Sequence, residues 1–321
     1  MLRSLYDGIS GMKANQVKLD VIGNNIANVG TTSFKSARVR FQDMVSQSMS
    51  EASASGVNTG GVNPKQVGLG VQVAGIDTMV GQGMMQPTSR NLDVAMDGEG
   101  YLIVANGSIQ GEIKVNGDDT MDDQALLTPS YTRDGALTLD DSGHLLTSDG
   151  YRVMGYSVNT TYDTTTGKAT VAFVDEKLAR VPDDTLIPLT IPEKIGDQRV
   201  RTFSIEKDGT IKAVLESGSV AIVGQIAMAT FNNPAGLSKV GKNLLQNTSN
   251  SGQAVVRSSI GATEDNSKGY GDMLQGMLEM SNVDLSEQFT DMIVASRAFQ
   301  AAGKTITTGD EILQEILALK R

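Results

Sequence analysis

What most limits the fold of this chain is where proline does not occur. All seven prolines, Pro64, Pro87, Pro129, Pro182, Pro188, Pro192 and Pro234, lie between residues 64 and 234. Proline removes a backbone donor and clashes inside a helix, so only the two ends can hold long uninterrupted helices. Both ends use that freedom in the same way. In the N-terminal segment Leu5, Met12, Leu19 and Ile26 recur every seven residues. Leu2 and Ile9 begin a flanking register that continues as Gln16 and Gly23. In the C-terminal segment Leu285, Met292, Phe299, Ile306 and Leu313 share the same spacing, and Phe289, Ile293, Ile312, Ile316 and Leu317 widen the stripe. Seams of this period predict helices that pack against another helix. Asp284 followed by Glu287 reads as an N-cap with a carboxylate at the third helical position.

The N-terminal seam contains an oddity, Gly23, Asn24, Asn25 and Asn28 within an otherwise amphipathic run. These four cost roughly 3 kcal/mol of helix propensity relative to alanine. Burial of Leu5, Met12, Leu19 and Ile26 offsets this by roughly 6–12 kcal/mol before ordering entropy. The expectation is a conditional helix, ordered when neighbours pack on it. Gly23 would admit a close backbone, while the asparagine amides either bond across packed helices or end the helix near Asn28. The expected contact set is Leu5, Ile9, Met12, Leu19, Ile22 and Ile26 against Leu285, Phe289, Met292, Phe299, Ile306 and Leu313. Residues 1–50 carry six Lys/Arg against three Asp/Glu, and residues 269–321 carry four against eight. Opposite charge is a modest hint that the ends come together.

The middle alternates short apolar runs with Gly, Asp and Asn turns, as in GLGVQVAGIDTMV, LDVAMDGEGYLIVANG and GSVAIVGQIAMATF. DSG and SDG read as tight turns between strands. The expected fold is α+β: long terminal helices pairing as a coiled coil around an irregular β-rich middle. The expected parts are residues 1–32 and 283–321 as the two halves of a helical inner domain, and 33–150 and 205–282 as the β-rich middle. Residues 151–204, rich in Thr, Asp and Pro near their centre, read as a small outer lobe or insertion.

Composition argues against chemistry. A formal net charge of −10 does not suit nucleic acid or an anionic membrane as principal partner, and the absence of cysteine removes thiolate sites. The one histidine, His144, sits beside the DSG turn and is expected to be a surface strand residue rather than a base or ligand. NGDDTMDD at 116–123 lacks the spacing of a calcium loop and reads as a solvated loop. The glycines match neither a dinucleotide fingerprint nor a phosphate loop. No catalytic, cofactor-binding or metal-binding residues are assigned, no cofactor is expected, and the expectation is a protein that is not an enzyme. The N-terminus has no apolar core of a signal peptide, because Arg3, Asp7, Lys13 and Lys18 interrupt it.

SLYDGISGMKANQVKLDVIGNNIANVGTTSFKSARVRFQDM resembles the N-terminal signature of bacterial flagellar rod and hook proteins. That family typically reads N-N-I-A-N-V-N-T-x-G-[FY]-K. This chain keeps Asn24, Asn25, Ile26, Ala27, Asn28 and Val29 but has Gly30 and Ser33 where Asn and Gly are usual. MSNVDLSEQFTDMIVASRAFQAAGKTITTGDEILQEILALKR resembles the other end of the family, with Ala302 and Gly303 at a frequent Asn-Ser. NPKQVGLGVQVAGIDTMVGQG, RNLDVAMDGEGYLIV, YTRDGALTLDDSGHLLTSDGYRVMGY and FNNPAGLSKVGKNLLQNTSNSG resemble its β-domain motifs. SNVDLSEQFTDMIVASRAFQ is more similar to hook than to distal rod proteins, so the expectation is a hook subunit, with the distal rod as alternative. The resemblance implies a flexible extracellular tube transmitting torque from rod to filament. Its subunits leave by the flagellar type III export route without a cleaved signal. The implied partners are further copies of the chain, the distal rod, the hook cap, hook–filament junction proteins and the export apparatus. The helix-packing residues expected from the residues themselves include Gly23, Asn24, Asn25, Asn28, Ile293 and Leu317 besides the contact set above.

Overall fold

The computed structural model describes residues 2–54, 56, 60–108, 111–116, 120–121, 127–158, 160–162, 169–174, 185–257 and 271–319. It has an N-terminal helix, a β-rich middle and a C-terminal helix, and its contacts divide into two units. Unit 1 holds residues 1–30, 35–79 and 283–321; unit 2 holds 31–34 and 80–282.

In unit 1, helix α1 spans Leu2–Ala27 and helix α2 spans Leu285–Leu319. At 26 and 35 residues they are about 39 and 53 Å long. Asp284 caps α2 as its local chemistry dictates: its Oδ1 accepts from the backbone N–H of Ser286 at 2.8 Å and of Glu287 at 3.3 Å. Between the helices in sequence run two antiparallel ribbons. Strand β1 (Ala37–Asp43) pairs with β4 (Val71–Thr78), and β2 (Ser46–Ser50) pairs with β3 (Lys65–Gly68). The β1–β4 ribbon rests on α1, where Ser10 Oγ accepts from Val71 N at 3.3 Å. Residues 35–79 thus group with the helices, whereas the sequence reading began the β-rich middle at residue 33.

Unit 2 is a network of short strands. The strand Tyr101–Asn106 is central, pairing with Thr128–Thr132, Arg152–Ser157 and Met228–Thr230. Its residues Leu102, Ile103 and Val104 are fully buried and feed both apolar clusters of the unit. The two turns read from sequence are present: Gly143 and Gly150 both take φ +82°, and Asp140 Oδ1 closes the first by accepting from Ser142 N and His144 N. Two further strand pairs, Val94–Asp97 with Asp272–Gln275 and Met85–Pro87 with Met277–Glu279, complete it.

One expectation fails. His144 is not on the surface: it is fully buried, and its Nδ1 lies 2.7 Å from Thr190 Oγ1. The turn beside it is covered by the segment through Thr190, a contact distant in sequence and invisible to local reading. The acidic residues of NGDDTMDD lie outside the described residues.

Candidate functional site

The longest surface built from residues singled out in the sequence is the seam between α1 and α2. The helices run antiparallel: Leu5 lies by Gly309, Gly8 by Thr305 and Ile306, Met12 by Gly303, and Lys18 by Asp291. Small residues decide how close they come. A Cβ on Gly8 would lie 2.8 Å from Ile306 Cγ1 and 3.2 Å from the Ala302 carbonyl oxygen. One on Gly309 would lie 2.9 Å from Leu5 Cδ2, and one on Gly11 only 3.7 Å from Ala302 Cβ. Close approach of this kind sets a glycine or alanine of one helix opposite a larger side chain of the other, as Gly309 opposite Leu5 and Gly8 opposite Ile306.

Leu5, Met12 and Ile306 sit against these small residues, and the other large apolar residues differ widely in exposure. Ile22 is buried at 3% exposure, and Leu5, Met12, Leu19, Ile26, Met292, Ile306 and Leu313 are partly buried. Phe299 is borderline, at 37% exposure. Ile9, Leu285, Phe289, Ile293 and Leu317 are exposed in the single chain, Phe289 at 51%, Ile293 at 63% and Leu317 at 67%. The most buried residues of α2 are instead Ala295 and Gly309. Ala295, Ala302 and Gly309 stand seven apart, a spacing of small residues that the sequence carries beside the seam of large ones.

The asparagine-rich stretch is helical as far as Ala27, and its residues do three different things. Asn25, 1% exposed, is a clip: its Nδ2 donates to Ala37 O at 2.8 Å and to Gln288 Oε1 at 3.0 Å, and its Oδ1 accepts from Ala37 N at 3.0 Å. One side chain thus joins α1, the start of β1 and α2. Asn28 closes the helix, its Nδ2 donating to the Asn24 carbonyl at 2.9 Å and to Asn24 Oδ1 at 3.0 Å. Gly23 is exposed, with nothing within 4 Å of where a Cβ would stand. Lys18 and Asp291 form an ion pair at 3.2 Å between the oppositely charged ends; both are too exposed for it to contribute much.

Unit 2 offers no comparable chemistry. An open groove of about 480 Å³ is lined by Ile205, Glu206, Lys207, Asp208, Met273, Leu274 and Gln275. Its Glu206 is ion-paired with Lys212 at 2.7 Å. Among the described residues no cluster of three or more His, Asp or Glu is placed to hold a metal ion, and no described helix is long and apolar enough to cross a membrane. Sequence reading missed a buried ion pair, Arg133 Nε at 2.9 Å from Glu279 Oε2. A lone acid in the apolar run QGMLEM was the available sign.

Three family models match the chain. Residues 5–35 match the flagella basal body rod protein, 95–213 the D1 domain of flagellar hook protein FlgE/F/G, and 274–319 the C-terminal part of flagellar basal body rod FlgEFG protein. The flagellar basal-body rod protein FlgG of Bacillus subtilis is 43% identical over 321 residues, covering all of both chains. The flagellar hook protein FlgE of Borreliella burgdorferi is 30% identical over an alignment of 449 positions, again covering both chains fully. The rod protein FlgG of the same organism is 32% identical over 325. A crystal structure of Helicobacter pylori flagellar hook protein FlgE2 covers 61% of this chain and 100% of its own, at 10% identity and a TM-score of 0.42, too distant to bear on the fold.

Proposed function

The chain belongs to the family of flagellar hook and basal-body rod proteins, and on that premise we propose that it is a subunit of the rod, polymerising as a stiff tube that carries torque. One observation supports rod over hook: the rod protein at 43% identity matches end to end within 321 positions, whereas the hook relative needs 449. The extra positions of the hook relative have no counterpart here. The hook reading, favoured from the sequence of the C-terminal tail, stays as the second one, because hook relatives also match over the whole chain.

In this reading α1 and α2 pair as a coiled coil, and residues 1–32 and 283–321 form the inner layer of the tube. The exposed flank of Leu285, Phe289, Ile293 and Leu317 packs against the next copy of the chain. Residues 80–150 and 205–282 form outer layers, with 151–204 as an outer lobe, while the ribbons of 35–79 stay with the helices of unit 1. Subunits are exported by the flagellar type III apparatus without a cleaved signal and assemble outside the cell. They meet the other axial proteins at their ends, including hook cap and hook–filament junction proteins in the hook reading. The role is structural: no catalytic step is assigned. Electron microscopy of concentrated full-length protein tests the choice. Straight tubes with a central channel support the rod; curved, polymorphic tubes support the hook; a chain that stays monomeric at every concentration overturns both.

A further inference from the structure

The chain passes between the two units four times, after Gly30, Phe34, Met79 and Asn282. On the unit 2 side these connections are gathered into one hydrogen-bonded cluster. Ser33 N donates to the Glu279 carbonyl at 2.8 Å, and Asn282 N to the Phe34 carbonyl at 3.3 Å. Asn282 Nδ2 donates to Gly81 O at 3.0 Å, and Gly83 N to Glu279 Oε1 at 2.9 Å. The remaining oxygen of Glu279 faces Arg133 Nε at 2.9 Å, with both side chains essentially buried. Arg133 also donates to Gly98 O at 2.8 Å, and its own carbonyl accepts from Ser33 Oγ at 2.7 Å.

Ser33 is the telling residue. Its φ of +56° lies in the left-handed region that glycine tolerates best. Two hydrogen bonds hold it there. The unit 1 side has its own cluster: Asn25 joins Ala37 and Gln288, and Met79 N donates to the Ser36 carbonyl at 2.8 Å. Each unit thus ties together its own ends of the connections.

We propose that these clusters are a pair of fasteners, Glu279–Arg133 at the centre of one and Asn25 at the centre of the other, through which load on any one connection is shared by all four. Buried ion pairs add little net stability over apolar packing, but they fix geometry, and fixed geometry is what parallel connections need. The purpose rests on the axial reading above; the fastening does not.

Hydrogen exchange on the full-length monomer tests it. The double variant Arg133→Met/Glu279→Leu removes both charges, so no unpaired charge is left buried. Exchange is expected to rise about tenfold in peptides covering 31–34, 80–84 and 279–282 together, with the strands Tyr101–Asn106 and Val220–Ile226 unchanged. The Ser33 bond to the Glu279 backbone carbonyl is chemically untouched by these substitutions, so its loosening reports coupling. A rise confined to residue 83, or one spread over all of unit 2, overturns the proposal. Ser33→Ala, a milder change, is expected to loosen 80–84 and 279–282 as well as 31–34; an effect limited to 31–34 overturns it too. If wild-type protein forms no tubes while these peptides respond together, the axial reading falls and the fastener stands; normal tubes with no coupled response give the reverse.

Discussion

Asn25 shows why a poor helix former occupies a helix. Its side chain, itself buried, makes three hydrogen bonds to partly buried groups of Ala37 and Gln288. Asn25→Ala is therefore expected to destabilise the chain by about 2–4 kcal/mol, well beyond any propensity gain; urea denaturation measures this. Gly23, with nothing within 4 Å of where a Cβ would stand, carries no such role here. The sequence flagged this stretch because its propensities conflict with its seam, but it could not say which amide bonds to what: Ala37 and Gln288 are brought in by other elements. Tyr101 provides a second residue-scale test. Burial holds its phenol above the ordinary 10.0, with Arg133 pulling the other way and Glu279 and Glu99 adding to the rise. Because the folded-state value is raised, the stability it contributes is complete below pH 10 and is lost as pH rises through that folded value. Ultraviolet titration of the wild type against Tyr101→Phe is expected to show the variant lacking a phenol that ionises above the ordinary tyrosine value.

At the scale of elements, the two helices were legible, whereas the small residues of their contact line were not. Proline exclusion, seven-residue spacing and the Asp284 cap are local facts, and the structure has helices there with that cap made. The contact line depends on which residues are small enough to meet, and that is a property of both helices at once. Gly8 and Gly23 separate the two roles a helical glycine can have. Gly23→Ala meets nothing and is expected to raise the melting temperature of the monomer, by up to about 1 kcal/mol of stability. Gly8→Ala gains the same propensity but drives a methyl to within 3.2 Å of a backbone carbonyl, so a net loss of about 1–3 kcal/mol is expected. Thermal denaturation of both variants checks the signs. His144 and Arg133 illustrate the other limit: each is buried by segments far away in sequence, so reading their immediate neighbours could not place them.

At the scale of the whole molecule, the exposed apolar residues of α2 are the feature that a lone chain leaves unexplained. Phe289 and Ile293, 51% and 63% exposed, can be made charged at little cost to the monomer. Phe289→Asp and Ile293→Asp are expected to keep the circular dichroism spectrum and melting temperature of the wild type while losing tube formation, as judged by sedimentation of concentrated protein. Variants that still sediment as polymer would separate this flank from assembly. Gly23→Ala offers the complementary case: if a neighbouring copy packs closely on Gly23 in the tube, the variant stabilises the monomer and weakens the polymer. The central claim, that the flank of α2 is where copies meet in the inner layer, is tested most directly by a helical reconstruction of the assembled tube by cryo-electron microscopy. The account predicts α1 and α2 around the channel, with Phe289, Ile293 and Leu317 buried against a neighbouring copy. An inner layer built from the β-rich unit, or those three side chains facing solvent in the polymer, would contradict it.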